Sequence, residues 1–510
     1  MKTREQFLSL SKDELIEYIL KKESDFELLD AKFRKLQEDY NNTLKKMNNV
    51  IEQNKIQIIR TYTPKTETKL NEKTEYFNEA EKSNNKIGRK KGSKNFDVDY
   101  LESHVNETII IEPENYKNIS DDNNVIELSP DISYKVKYIP RTITVTKIIT
   151  KKYFDKANKQ FYQKIKDDPY PHSICTSDLA VNSMINKFMY GIPYYRQSEV
   201  MISDGLKISR QNLCNYQIRS TEILKPLYLF LKNKLLQTKT KVIYADETTL
   251  RVIENGKVNS YVWVYISSYY DYPIYIYEYC KTRAKSNVSC FLNDFKGYLI
   301  TDKYIGYDKL EGITNCYCWA HARRKFAEIV KTLNKEQIKN SQAMRIIELI
   351  DKLFVKEKTF KEKNLKASDI KTNRNTKNYL KDLDSIFAKL KSIKAQKDSQ
   401  LDKAIKYMLN SEQEFKNYIS DGHIEMTNNI SERAIKPFVI DRKNFLFSNT
   451  QNGAESSLIF FSLQQTARAN GLNPIEYIKY VIDNIGSNPS DEKLESLLPW
   501  NLKNRFPLSK

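Results

Sequence analysis

Residues 241–253 read KVIYADETTLRVI, an apolar, β-branched run that finishes on two acids. Strand alternation puts Val242, Tyr244 and Asp246 on one face, so Asp246 closes an apolar strand and is displayed at the edge of its sheet. Two further strand-like runs follow, SYVWVYISS at 260–268 and PIYIYEYC at 273–280, with turn signals at Asn255-Gly256 and Asp271-Tyr272-Pro273. A helical stretch then precedes GYLITDKY at 297–304, and TNCYCWAHARRKF at 314–326 reads as a strand running into a helix.

Three meandering strands followed by strands alternating with helices is the order of a ribonuclease-H-like sheet, so the expected fold class is α/β. From 330 to about 420 the text is Lys-, Glu- and Leu-rich and helical, and strand-like text does not return. The whole chain has 510 residues, with 84 Lys or Arg against 65 Asp or Glu and a formal net charge of +19. That length implies roughly two to four domains. With 40% apolar and 12% aromatic residues, wholesale disorder is excluded.

No run approaches the ~18 apolar residues needed to span a bilayer, and the N-terminus has no apolar core of a signal peptide. A soluble, cytoplasmic protein without a membrane partner is expected. Six scattered Cys, no CxxC pair and four His argue against a disulfide framework or a structural zinc site. The positive surplus favours a polyanion, nucleic acid first; a coding sequence rich in Lys, Asn, Ile and Tyr and poor in Gly is the plainer explanation.

Residues 1–58 read as a coiled-coil oligomerisation helix. Ser11 and Glu14 make a capping box. Leu15, Leu29, Leu36 and Val50 then fall on one heptad position and Ile19, Phe26, Phe33, Tyr40 and Met47 on the other, over about five heptads interrupted by Lys22 and Thr43. A lone helix docked on the body is the alternative. A basic low-complexity linker is expected at 59–104, with the cluster Gly88-Arg89-Lys90-Lys91-Gly92-Ser93-Lys94 inside it. Residues 105–165 carry the strand-like runs ETIIIE and TITVTKIITKKYF.

From 166 to 236 the text is helical, and one piece has helix-turn-helix character. Tyr194-Tyr195-Arg196-Gln197-Ser198-Glu199 leads through Asp204-Gly205 into Ile208-Ser209-Arg210-Gln211-Asn212-Leu213. Gly205 is expected in the turn, and Ser209 caps a second helix that offers Arg210, Gln211 and Asn212 to base edges. Short helical hairpins also occur in proteins that never touch DNA.

A second acid, Asp302, ends the run Leu299-Ile300-Thr301. Carboxylates at a sheet edge suit magnesium, which takes hard oxygen ligands and keeps several waters, although Asp after a strand is also an ordinary turn residue. Around these acids the motifs accumulate: Ala245-Asp246-Glu247-Thr248, then Thr301-Asp302-Lys303-Tyr304 with Tyr307, then CWAHARRKF at 318–326, NNISERAIKP at 428–437 and RKNFLF at 442–447. In this order they resemble the motifs of bacterial DDE transposases of the insertion-sequence-66 type. The resemblance also takes in Ile192–Gln197, Asn470–Pro474 and Leu498-Pro499-Trp500, and covers roughly residues 85–500.

What the resemblance implies is a ribonuclease-H-like catalytic core in two parts, 237–330 and 421–484, split by a helical insertion at 331–420 and followed by a tail at 485–510. Its catalytic acids, and its metal ligands, would be Asp246, Asp302 and Glu432. Two magnesium ions, replaceable by manganese, would lie roughly 3.5–4 Å apart, bridged by Asp246. Water activated there would cut a phosphodiester, and the freed 3′-hydroxyl would attack target DNA, with no covalent enzyme intermediate. Read without the resemblance, Glu432 is equally a capping partner of Asn429 or an i, i+4 partner of Lys436.

Candidate DNA contacts are Arg210, Gln211, Asn212, Arg323, Arg324, Lys325, Arg433, Arg442 and Lys443, a solvated face being the plain alternative. Phe445 and Phe447, set among cations, suit a DNA strand or simply serve as core. Cys316 and Cys318 are read as small apolar residues rather than as metal ligands with His321, and no zinc is expected.

The implied partners are DNA, as terminal inverted repeats and as target, further copies of the chain, and accessory proteins of the same element; the implied location is the bacterial nucleoid. The sequence also departs from the family pattern. Residues 105–165 form a Cys-free, zinc-knuckle-like region, Thr427 stands where an acid is usual, and Asp441 where glycine is usual. A decayed or repurposed DNA-binding protein that keeps the fold is therefore the alternative function.

Overall fold

The computed structural model describes residues 11–62, 168–256 and 258–508, together with residues 102, 105, 108, 143–149, 152–155 and 160–163. In chain order the elements are helix α1 (Lys12–Tyr62), strands β1 (Lys152–Asp155) and β2 (Gln160–Gln163), helices α2 (Ser177–Phe188), α3 (Tyr194–Ser203) and α4 (Arg210–Leu236), then strands β3 (Val242–Leu250), β4 (Ser260–Ser267) and β5 (Tyr275–Cys280). Helix α5 (Lys285–Phe291), strands β6 (Gly297–Thr301) and β7 (Ile313–Tyr317) and helix α6 (Trp319–Val330) follow. The rest is helical: α7 (Lys335–Asn340), α8 (Gln342–Glu362), α9 (Ala367–Arg374), α10 (Lys377–Ser392), α11 (Gln400–Leu409), α12 (Glu412–Lys416), α13 (Asn429–Phe445), α14 (Gln451–Ala469), α15 (Pro474–Asn484) and α16 (Asp491–Ser496).

Helix α1 begins with the expected capping box: Glu14 N–H donates to Ser11 Oγ at 3.4 Å, and Ser11 N–H returns a bond to the Glu14 carboxylate at 2.8 Å. It runs past residue 58 to Tyr62. Its first two thirds project the heptad seam into solvent, with Phe26 71% and Leu36 68% exposed. The last third docks on the body, where Ile56 is buried, Arg60 forms an ion pair with Glu328, and Glu52 accepts the N–H of Gln400. The alternative of a helix docked on the body thus holds for the last third, while the seam of the rest has no partner among the described residues.

Farther on, β1 and β2 pair antiparallel. The expected strand TITVTKIITKKYF is corrected: 143–149 have no regular structure, and only the end of the run, from Lys152, forms a strand. Val145, Ile148 and Ile149 are exposed there, so the apolar run has no partner surface among the described residues to make it a strand. Most of the linker and the ETIIIE run fall outside the described residues.

The core is a five-stranded mixed sheet in the order β5-β4-β3-β6-β7. Strands β3, β4 and β5 form the antiparallel meander, while β6 and β7 add parallel to β3. Val242–Ala245 in the central strand are fully buried, as an apolar run covered on both faces must be. On one side Tyr265 stacks on Phe291 of α5, with ring centroids 3.7 Å apart. The β5 edge is covered by α14: Ser462 Oγ accepts the N–H of Tyr277 at 2.8 Å and Thr466 Oγ1 that of Tyr275 at 3.0 Å, so these two outer donors are paired rather than open to another chain.

After β7 the chain makes a helical excursion, α7 to α12, and returns to where it left. Trp319 N–H donates to Met426 O at 3.1 Å, and Asn428 N–H to Cys318 Sγ at 3.1 Å. The excursion is tied within itself by the buried Arg374, which pairs with Glu357 and donates to the carbonyls of Tyr418 and Asp421. Among the described residues beyond 330 there is no strand.

Candidate active site

Asp246 does not end its strand as expected: it is the middle residue of the central strand β3, which continues to Leu250 because Glu247–Leu250 keep their pairing with β4, and here the strand passes from the fully buried Ala245 toward the exposed Thr249. Burial first, then the negative charges of Glu247, Asp302 and Glu432, push its carboxyl well above the usual carboxylate range, while the N–H of Glu247, 2.8 Å away, opposes the shift. The other two expected acids thus both bear on Asp246, although the three come from separate parts of the chain.

Glu247 itself is held in place. Arg283 pairs with it, its Nε 3.0 Å from Oε1, and the buried Tyr307 hydroxyl donates to Oε2 at 2.7 Å. Burial raises its carboxyl, and Tyr307 and Arg283 oppose that. The guanidinium of Arg283 also lies over the Tyr304 ring, 3.6 Å from its centroid.

Asp302 follows β6 directly. Its carboxylate accepts the N–H of Tyr304 at 3.0 Å, which tightens the turn in which Lys303 takes a positive φ of 69°. The helical excursion reaches this turn: Tyr407 Oη donates to Asp302 O at 2.9 Å and Lys303 Nζ to Tyr407 O at 2.7 Å.

Glu432 lies in the first turn of α13, 3.5 Å from His321 Nε2 and 3.7 Å from Arg324 on α6. The capping expected of Asn429 moves one residue back, and differently: Asn428 is the N-cap but makes no side-chain cap bond. Its fully buried side chain instead donates to Ala245 O at 2.9 Å, tying the start of α13 to β3 one residue before Asp246. Asn428 is the positioning residue that sequence reasoning missed; the only signal for it was the Asn-Asn pair preceding Glu432. Among the described residues, no three His, Cys, Asp or Glu side chains stand close enough together to hold a metal ion.

The expected DNA contacts separate into groups. Arg210, Gln211 and Asn212 are exposed at the start of α4, with Ser209 capping the Asn212 N–H at 3.2 Å and Gly205 at φ 92° in the turn. Arg433 and Lys443 are also exposed, Arg433 bonding the Tyr269 hydroxyl. Arg324 is turned toward Glu432, and Lys325 lies 4.3 Å from the Tyr407 ring centroid with its ammonium pKa lowered by burial. Arg442 bonds Thr248 Oγ1 at 3.2 Å and the backbone of Thr249, so it clamps the end of β3.

Arg323 corrects the expectation outright. It is 7% exposed and pairs with Asp351 of α8 through bonds of 2.6 and 3.0 Å, facing the core rather than DNA. On an amphipathic helix three consecutive residues cannot share one face, and Arg323 falls on the inner one. Cys316 and Cys318 are buried, as expected of small apolar residues, and Phe445 packs against Phe188 and Phe438, while Phe447 remains exposed.

Compared with known families, residues 172–456 match the profile described as the IS66 family of transposases, more than half of the chain. The chain belongs to that family. Residues 462–500 match a second profile, the IS66 C-terminal element. The first match contains Asp246, Asp302 and Glu432, the helices α3 and α4 and the whole helical excursion, while α1 precedes it.

Similar proteins extend the likeness. An uncharacterized protein y4jD of Sinorhizobium fredii (strain NBRC 101917 / NGR234) is 27% identical over 443 residues, 82% of this chain and 84% of its own. The uncharacterized protein y4hP of the same strain is 23% identical over 420 residues, 78% and 75% of the two chains. Membership in the family makes this a DNA-binding, nucleic-acid-processing protein with no described helix long and apolar enough to cross a membrane.

Proposed function

We propose that this IS66-family chain is a DDE transposase that cuts DNA at the ends of its element and joins the freed 3′ ends to target DNA, on a ribonuclease-H-like core. The observation that carries this is the placing of three acids: Asp246 in β3, Asp302 directly after β6, which pairs parallel with β3, and Glu432 in the first turn of α13, which Asn428 ties to β3 one residue before Asp246. The strand order, three antiparallel strands continued by two parallel ones, supports the fold assignment.

By chemistry, though not by the spacing of the side chains, the donor set suits magnesium. All three candidate ligands are carboxylates, and a buried carboxylate crowded by like charges is costly to ionise until a cation joins it. Bound magnesium would supply Lewis-acid activation of the attacking oxygen and stabilisation of the leaving one. The chain's own residues do the rest. Asn428 holds the Glu432 helix against β3, Tyr304 N–H and Tyr407 hold the Asp302 turn, and Arg283 with Tyr307 keeps Glu247 from competing for the ligand position. Exposed cations at the start of α4 and on α13 would take up phosphates, and the α1 seam would join copies of the chain.

A second reading, a DNA-binding protein that keeps the fold without the chemistry, is favoured by one observation: Glu432 stands beside His321 and Arg324, and no three acids are gathered as a ready cage among the described residues. A strand-transfer assay on DNA carrying the repeats that flank the gene decides between them. Magnesium-dependent joining that disappears in Asp246→Asn and Glu432→Gln supports the enzyme. Joining undiminished in those variants removes the acids from the chemistry, and DNA binding without joining supports the second reading. Manganese binding followed by electron paramagnetic resonance gives a readout independent of turnover, and it should fall in both variants.

A further inference from the structure

Immediately after α13, the backbone makes a turn that a leucine rarely adopts. Leu446 has φ 64° and ψ −46°, and the N–H of Phe447 donates back across it to Phe445 O at 2.8 Å. This is a three-residue γ-turn of positive φ, a strained conformation that persists only where its surroundings impose it. Here they do. Leu446 N–H is bonded to Arg442 O at 2.7 Å, Ser448 N–H to Arg251 O at 3.0 Å, and Ile253 N–H to Ser448 O at 2.9 Å, while Arg442 grips the end of β3.

The outcome of this strain is to hold two apolar side chains in water. Leu446 is 63% and Phe447 42% exposed. They stand one and two residues past the C-terminal end of α13, the end opposite Glu432, and next to the segment that follows β3, through Ser448 and Arg251. The exposed cations Arg251 and Lys443 flank them. Of the acids near them, Asp441 is buried, and Glu254, whose N–H donates to Asn449 O at 3.0 Å, is engaged with the N–H of Gln451 at 2.7 Å. Aromatic and apolar side chains at fixed positions among cations are what single-stranded DNA takes: rings for base faces, cations for the backbone.

Resting on the transposase reading, we propose that Leu446 and Phe447 form a stacking site for an unpaired base of the bound DNA, one helix length (about 21 Å) from Glu432 and so several nucleotides from the scissile position, Leu446 acting as the wedge and Phe447 as the platform. The full chain is tested with two probes of one sequence, a blunt duplex and a duplex frayed at one end, each with 2-aminopurine as the terminal base. The wild type is expected to bind the frayed probe roughly tenfold more tightly, within the range that one stacked base gives, and to quench its fluorescence. Phe447→Ala should lose both the preference and the quenching at unchanged affinity for the blunt duplex, and Phe447→Trp should restore them. Leu446→Gly, which relieves the backbone strain, should weaken the preference without loss of thermal stability. Equal binding of both probes by the wild type, or a preference kept by Phe447→Ala, overturns the site while leaving the transposase reading intact. Failure of the wild type to bind either probe refutes that reading itself.

Discussion

Arg323 offers a sharp quantitative test, because two incompatible roles can be assigned to it. Its guanidinium makes two bonds to Asp351, and both side chains are almost fully buried, at 8% and 6% exposure. Removing one member of such a pair strands the other charge away from water, which costs about 3–5 kcal/mol, a large fraction of the 5–15 kcal/mol by which domains are typically stable. For a cooperative unit of 150–250 residues that corresponds to a midpoint lowered by roughly 6–20 °C. Arg323→Ala and Asp351→Ala should each show this loss in thermal and urea unfolding. The double variant Arg323→Met/Asp351→Leu should recover most of it, because no charge is left unpaired. DNA affinity at low temperature should be unchanged in the double variant, and the dependence of binding on salt should keep its slope. If instead Arg323→Ala melts like the wild type while its salt slope falls by about one, as the loss of one phosphate contact would produce, the buried-pair argument is wrong.

Other expectations follow from the same geometry. Asp246→Asn should melt higher than the wild type near pH 7 in EDTA and equally near pH 3, because burial and acidic neighbours raise the folded-state pKa, so stability is lost as pH climbs above the unfolded carboxylate value; a lower midpoint at pH 7 would contradict the crowding. Asn428→Ala removes the bond to Ala245 O and leaves that carbonyl buried, at a cost of about 1–3 kcal/mol, and strand transfer should fall further than folding does. Burial holds the Asp441 carboxyl at about 7, so Asp441→Asn should stabilise above pH 7 and make no difference below pH 4; no pH dependence in the difference would rule this out. Finally, Phe26→Glu with Phe33→Glu should lower the mass seen by light scattering without changing the melting of the body, since both side chains are exposed in the single chain.

Much of the fold is visible in the text because it depends on local pattern. The alternation in KVIYADETTL and SYVWVYIS, and the turns between them, specify β3 and β4 with their neighbours, and the heptad run specifies α1. Where side chains point on α6 is not legible to the same degree. ARRK presents two arginines and a lysine alike, and only the arrival of Asp351 from α8 makes Arg323 an interior residue. Asn428 is a similar case: as text it is one of two adjacent asparagines, and its role depends on Ala245, remote in sequence and adjacent in space. The run 143–149 shows the converse, strand-like composition that finds no partner among the described residues. Asp302 is legible because it follows its strand directly, and Asp246 because it breaks an apolar run, although β3 continues four residues beyond it to Leu250; Glu432, in a helix with plausible local partners, is visible only through its motif.

The bond between Trp319 and Met426, with that from Asn428 to Cys318, gives the helical excursion a property that its size conceals. Seen from the sheet, the excursion has no length, since the chain steps out and back through a doorway only a hydrogen bond wide. The entropy of closing such a detour grows only with the logarithm of its contour, so it can be lengthened or trimmed at small cost to the alignment of Glu432 with β3. What constrains it is narrower: whatever occupies the detour must still bring a Tyr407 to brace the Asp302 turn from outside.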